Sequence, residues 1–492
     1  LLCFPAASRV FLALCGAVCV LFAPAPAHAQ PDASAPVLTP VNPLGVIEGF
    51  WLADEACALG ASWERIIFDW AEHQPDGPES WNTLNVDERW LRAAATCGRE
   101  VVAVVKHTPA WATDGTPGIG VPRGLERAPD DPANLWGAFM ARAAAHYAPF
   151  GVNRFIIWNE PDIPAGTFGY EFEGTLEAYA RLVVVASVAA KAANPDAQIH
   201  LAGVTYWHDV NAGRRLYLDR LLERLAAEPG AAEHGGYFDV ATLHIYFRTE
   251  TVYAITRETR ALLDRHGFTR QRIWIGETNA SPNRDPAWPV VRPNWQVTLE
   301  QQAAFLVHAA ALGLAAGADH IGAYKLNDWN LAPGGESFGL IRPDGTRRPA
   351  FTTWAMLGPL LTGITDARLF TSGGVEGVRL RRSDGVTVWV LWARTAEGAL
   401  VQVEAAAPVR VRDAFGAAVT ADPAGLVSLF LAGASCNRRD GCAVGGAPLI
   451  VEGAPGDALD LVYHVGAGED AAIALAPLGE PHDGTLRGTA AP

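Results

Sequence analysis

Two glutamates stand out in this chain because of the residues that lead into them. Glu160 follows Phe155-Ile156-Ile157-Trp158-Asn159 and precedes Pro161, and Glu277 follows Ile273-Trp274-Ile275-Gly276. A short apolar run bounded by turn residues reads as a buried strand, so each carboxyl is predicted at the point where a strand meets a loop. Two carboxyls facing each other across a cleft are the minimal equipment for cleaving a glycosidic bond. One protonates the leaving oxygen, and the other attacks the sugar or activates a water. That division of labour requires one acid to hold a proton near neutral pH while its partner stays ionised. A single glutamate at a strand end is often a helix cap or half of an ion pair, so the weight rests on the two motifs together.

The elements that must position these acids follow from the alternation of short apolar runs and longer helical patterns between residues 44 and 363. Strands are predicted near 44–48, 63–68, 101–106, 154–158, 198–204, 238–244, 272–276 and 320–326, with helices between them. Eight such units predict a (β/α)8 barrel, whose active-site face lies at the C-terminal ends of the strands. A doubly wound sheet would place a Gly-rich phosphate turn after its first strand, and residues 44–51 contain none. A helix over 348–361 is predicted to close the barrel. From 364 to 466 the texture changes to closely spaced alternating runs, the pattern of a β-sandwich. Trp389 and Trp392 differ in parity along one of these runs and are predicted to point to opposite faces.

Residues 1–29 have a separate character. Arg9 precedes the apolar run Val10–Phe22, and Ala27-His28-Ala29 has the small-x-small pattern of a cleavage site, which predicts a secretory signal cut before Gln30. The run is short for a membrane span. Residues 30–43 then form a linker, and 467–492 an Ala/Gly/Pro-rich tail. The expected location is extracellular or periplasmic.

Cys57, Cys97, Cys436 and Cys442 lie beyond the signal, an even number that suits an oxidising compartment. Cys436 and Cys442 are expected to close a short disulfide loop. Cys57 and Cys97 either pair or stay as buried thiols. No Cys/His arrangement completes a metal site, and no cofactor is expected. A formal charge of -15 over 492 residues, without a basic cluster, argues against nucleic acid as a partner. A carbohydrate is the partner that the two acids suit.

At these residues the chain resembles the clan A glycoside hydrolases and is most similar to family 39 and related (β/α)8-barrel enzymes. Trp158-Asn159-Glu160-Pro161-Asp162 and Thr108-Pro109-Ala110-Trp111-Ala112 carry the likeness, with Gly60-Ala-Ser-Trp-Glu-Arg65 and His244-Ile245-Tyr246 beside them. The resemblance implies a retaining hydrolase that cleaves β-glycosidic bonds through a covalent intermediate, with Glu160 as acid/base and Glu277 as nucleophile. Asn159 is expected to bind a sugar hydroxyl, and Arg65 to keep Glu277 ionised. His107, His244 and Tyr246 are expected to bind hydroxyls or to orient Glu277, or to be satisfied core residues. Trp111 and Trp329 are candidates for stacking on a sugar. The eighth strand departs from the family pattern, since Lys325 stands where an aromatic residue is common; either Trp329 takes that place, or Lys325 contacts a polar or acidic group. The alternatives are a non-catalytic carbohydrate-binding protein on the same scaffold, which would be expected to have lost one of the acids, and a surface structural protein, which only the sandwich and the tail suggest.

Overall fold

The computed structural model describes residues 41–420, 425–438 and 440–466. The predicted signal peptide, linker residues 30–40 and the tail from 467 lie outside the described residues. Eight parallel strands close into a barrel: β1 (Leu44–Ile47), β2 (Trp63–Asp69), β3 (Glu100–Lys106), β4 (Arg154–Ile157), β5 (Gln198–Leu201), β6 (Val240–Tyr246), β7 (Arg272–Asn279) and β8 (His320–Ala323). β8 pairs back onto β1. The strands are nearly continuous apolar runs because both of their faces are covered, by helices outside and by side chains within. In β3 every residue after Glu100 is buried. Trp63, Trp274 and His320 fill the barrel interior, with His320 stacked on Trp274 at 3.9 Å between ring centroids.

The long helices sit where their periodicity predicts them, among them Leu135–Tyr147, Leu176–Ala193 and Leu299–Ala315. Side chains of Asn134, Thr175 and Thr298 cap these three at their N-termini, and Thr298 with Gln301 completes a capping box. Helices Ala53–Leu59, Trp70–His73 and Trp207–Asn211 are unpredicted additions. They are too short for a helical period to show in the sequence. Cys57 and Cys97 form a disulfide, with Cα atoms 5.7 Å apart, that joins helix 53–59 to the end of helix Glu88–Thr96.

The C-terminal region forms two antiparallel sheets. One holds β9 (Ile364–Ser372), β10 (Val375–Arg382), β11 (Thr387–Ala393), β13 (Arg410–Arg412) and β15 (Leu449–Glu452); the other holds β12 (Ala399–Ala405), β14 (Gly425–Leu431) and β16 (Asp460–Gly466). In β9, Asp366 and Arg368 interrupt the apolar alternation. Trp389 and Trp392 do face opposite ways. Trp389 lies in the core between the two sheets, with its ring 5.1 Å from Phe370. Trp392 stacks on His308 of barrel helix 299–315 at 4.4 Å. Val378, Leu380, Val388, Val390 and Ile450 join Trp392 in the barrel's own hydrophobic core, so the five-stranded sheet is covered on both faces. Each such buried aliphatic side chain contributes about 1.5–3 kcal/mol. The Cys436–Cys442 disulfide closes a loop that docks on the barrel. Thr249 N–H donates to the Ala443 carbonyl at 2.9 Å, and Gln301 Nε2 to the Ser435 carbonyl at 3.2 Å.

Candidate active site

The C-terminal rim of the barrel is built from strained backbone. Glu48, His107, Trp158, Glu160, Tyr206 and Phe247 all have φ between 41° and 70°. Each follows a barrel strand, and each such conformation costs on the order of 1–3 kcal/mol and persists only because its surroundings enforce it. Hydrogen bonds supply that enforcement around the first acid. Trp158 N–H donates to the Val105 carbonyl at 2.9 Å, and Glu160 N–H to the Gly203 carbonyl at 3.1 Å. The main chain at Trp158 and Glu160 is therefore tied to β3 and to the residues that follow β5.

Glu277 reaches the rim through a register shift. Leu243 pairs with Ile275 and His244 with Glu277, which leaves Gly276 as an extra residue. A Cβ on Gly276 would lie 2.4 Å from the Thr242 methyl carbon, so only glycine fits the bulge. Gly203 makes the complementary room on β5's side, since a Cβ there would lie 2.1 Å from His244 Nε2.

Both oxygens of Glu277 accept hydrogen bonds, one from Arg65 Nη2 and one from the Tyr246 hydroxyl. Burial alone would raise the pKa of this carboxyl, but Arg65, His244 and Tyr246 outweigh it, and the net direction is downward. Tyr246 is pushed well above its ordinary range by burial and by Glu277, so it remains a donor. Burial lowers the pKa of His244, whereas Glu277 and Glu160 raise it, for a net rise.

His244 links the two acids. Its Nδ1 lies 2.6 Å from Glu160 Oε1 and 3.6 Å from Glu277 Oε2, and its Nε2 lies 3.2 Å from Arg65 Nη1. A guanidinium only donates, so Nε2 is the acceptor and Nδ1–H donates to Glu160. The neutral Nδ1–H tautomer satisfies both contacts. Donor atoms of Glu160, His244 and Glu277 all lie within 4.8 Å of one another. Such a trio could in principle ligate a metal. Here the Arg65 cation already occupies Glu277 and faces His244, which opposes a second positive charge at the same point.

The other candidate residues divide into two groups. Arg65, His244 and Tyr246 converge on Glu277. The remainder find partners of their own: Asn159 Nδ2 donates to Glu171 at 3.3 Å, His107 Nδ1 lies 2.5 Å from Asp69, and Trp111 donates to the Gln74 carbonyl at 2.6 Å. Lys325 pairs with Glu48 at 2.9 Å, a loop acid after β1, and Trp329 is 52% exposed. Trp158 precedes the first acid but faces the protein interior. It is fully buried, packs on Phe172 and donates to the Glu171 carbonyl.

Several rim residues escaped the sequence reading. Glu171 receives both Asn159 and the buried Lys106, the latter at 2.7 Å. Tyr324 and Phe338 set their ring edges against Tyr246 at 6.0 and 5.7 Å. Beside Glu160, His244 and Tyr246 opens a cavity of about 360 Å³, walled by Trp207, Phe247 and Trp295. Phe247 and Trp295 stack face to face at 4.8 Å.

The fold is shared with solved glycoside hydrolases. A family 39 enzyme from Bacteroides cellulosilyticus WH2 superposes with a TM-score of 0.63 at 16% identity, covering 85% of this chain and 83% of that one. A monomeric β-xylosidase from Caulobacter crescentus gives 0.54 at 14% identity, covering 86% and 98%. A family 30 endoxylanase from Clostridium papyrosolvens gives 0.55 at 12% identity, covering 85% and 97%. No protein-family model and no curated protein sequence matches the chain.

Proposed function

We propose that this chain is a secreted retaining glycoside hydrolase that cleaves β-glycosidic bonds of an oligo- or polysaccharide. One observation carries the reading: an oxygen of Glu160, after β4, and one of Glu277, near the end of β7, lie within 4.8 Å of each other, and Glu277 is held ionised by a buried arginine. Retaining enzymes bring their carboxyls to about 5–5.5 Å, whereas inverting ones leave about 6.5–9.5 Å for a water. The short gap supports double displacement, and the likeness to the β-xylosidase supports the β-linkage.

In the first step a Glu277 oxygen attacks the anomeric carbon as the bond to the leaving oxygen breaks, and the Glu160 proton passes to that oxygen. Arg65 and Tyr246 each hold one oxygen of Glu277, fixing the plane of the carboxylate before attack. In the second step water loses a proton to the Glu160 carboxylate and adds to the anomeric carbon, which releases Glu277. His244 is a positioning residue. Its Nδ1–H fixes the Glu160 carboxyl, and its Nε2 accepts from the arginine that holds Glu277.

Export is supported by the leader-like residues 1–29 and by the two disulfides; N-terminal sequencing of the exported protein starting at Gln30 would check it. The catalytic test uses aryl β-glycosides and a panel of soluble polysaccharides. Glu277→Ala is expected to lose turnover and to regain it with azide, giving the inverted glycosyl azide. Glu160→Ala is expected to keep more activity on substrates with good leaving groups, which need no protonation. Wild-type protein that releases no sugar from any substrate, or equal losses for both variants on aryl and natural glycosides, would refute these roles.

A further inference from the structure

Sixteen tryptophans occur in this chain, and among the described residues only Trp51, Trp207 and Trp329 are exposed, at 44%, 40% and 52%. A tryptophan ring left in water forgoes the burial that makes it useful in a core, so its place on the surface asks for another explanation. All three follow barrel strands, β1, β5 and β8, and therefore stand on the rim that carries Glu160 and Glu277. In the closed order β1 to β8, β5 lies opposite β1, while β8 is its neighbour. Trp51 and Trp329 thus form one side of the rim and Trp207 the other.

The Trp51 side is a continuous aromatic surface. Trp51 and Trp329 lie 5.2 Å apart, Trp51 and Trp90 5.3 Å, and Phe50 braces both Trp51 and Trp90 at 4.8 and 4.6 Å. Polar groups separate it from the acids. Lys325 and Glu48 form a partly exposed ion pair, and Tyr324 next to Lys325 reaches the Tyr246 ring. On the far side, Trp207 and Trp295 wall the cavity that opens from Glu160. Flat rings alternating with hydrogen-bonding groups match a chain of pyranoses, whose C–H faces stack while their hydroxyls seek polar partners.

We infer that the rim binds an extended glycan across both acids, with sugar units on Trp51 and Trp329 at one end and on Trp207 at the other, so that cleavage falls within the chain. The inference rests on the hydrolase reading for the bond broken: one internal glycosidic bond and one water give two shorter chains. The stacking surface itself does not depend on it.

The test compares wild type with the double variant Trp51→Ala/Trp329→Ala and with Trp51→Phe/Trp329→Phe, each checked for an unchanged melting curve. Soluble arabinoxylan, mixed-linkage β-glucan and glucomannan serve as polymers, and aryl β-monoglycosides as short substrates. The wild type is expected to lower polymer viscosity well before reducing ends accumulate. The alanine variant is expected to lose about tenfold more kcat/KM on the polymer than on the aryl glycoside, as two lost ring contacts imply, and the phenylalanine variant to recover most of it. Equal losses on both substrates, or release of single sugars from chain ends alone, would overturn the inference and leave the hydrolase reading intact. Affinity electrophoresis in gels containing the same polymers separates the two claims. Retardation that the alanine variant loses, without cleavage of any probe, would sustain the surface and reject the hydrolase. Absence of retardation and of cleavage would reject both. A wild-type dimer by light scattering that the alanine variant dissolves would assign the aromatic surface to self-association and overturn the inference.

Discussion

Glu277 at the barrel mouth and Glu376 at the seam between barrel and sandwich are both buried glutamates beside an arginine, yet their carboxyls are driven in opposite directions. Glu277 receives Arg65 and Tyr246 and faces His244, and its pKa falls below the ordinary carboxylate value. Glu376 on β10 is 4% exposed, and burial pushes it up to about 7, against a weaker pull from Arg394 3.3 Å away and with repulsion from Glu250. Arg394 is itself 40% exposed, so water screens it. Burial raises the carboxyl pKa at both places. What differs is how many donors are enclosed with the carboxylate, and only the mouth encloses enough to keep the charge.

The sharpest way to break this comparison is to remove both charges in the same way. Glu277→Gln is expected to lower turnover by at least about 10⁴-fold, since the proposed nucleophile has no substitute. Glu376→Gln is expected to retain turnover within about twofold, as steady-state kinetics on an aryl β-glycoside would show. Comparable losses would mean that the seam takes part in the chemistry.

Arg65→Met probes the cause at the mouth. With Arg65 present, the acid limb of kcat/KM is expected below pH 4.5, because the proposed nucleophile Glu277 attacks in its ionised form and its pKa lies below the ordinary value of 4.5. Without the guanidinium, burial dominates and the limb should move up by roughly 1–3 pH units. A pH profile that only drops in height would assign Arg65 to folding rather than to the charge of Glu277.

At the seam the effect falls on stability. Between pH 4.5 and about 7 the folded protein holds a proton on Glu376 that the unfolded chain has released. Stability therefore falls as pH rises across that window, by up to about 3 kcal/mol. Glu376→Gln should melt above wild type at pH 8 and alongside it near pH 4.5. An equal difference at both pH values would show that packing, not titration, is responsible.

The smallest effect is expected from Cys436→Ser/Cys442→Ser. Opening so short a loop costs about 2 kcal/mol by chain entropy, and the variant should melt slightly lower with most of its turnover retained. The loop docks at Thr249, three residues beyond Tyr246. A large loss of turnover in the folded variant would show that the seam holds the rim in place.

The barrel and its two acids were legible because apolar periodicity and strand-end position are local signals. Arg65, His244 and Tyr246 were legible for the same reason, since Arg65 lies within a predicted strand, His244 ends one and Tyr246 follows two residues on. The partners of the remaining candidates were not. Lys325 meets Glu48 across 277 positions, and Asn159 meets Glu171, a loop residue without any pattern around it. The extra residue at Gly276 is equally silent in sequence, since a bulge is a mismatch between two strands and not a property of one. The exposed rings of Trp51 and Trp207 sit on turns too short to announce themselves.

The shared core of barrel and sandwich also imposes an order in time. Synthesis delivers residues 44–363 first, and the barrel helix 299–315 then presents His308 to a partner, Trp392, that has not yet been made. The loop that ties Thr249 arrives later still, after Cys436. A growing chain therefore carries a bare apolar flank until the residues after 363 emerge, the kind of transiently exposed surface that favours aggregation. For the same reason the sandwich is not a detachable module: a barrel cut off after residue 363 would keep both acids and lose the wall it folds against.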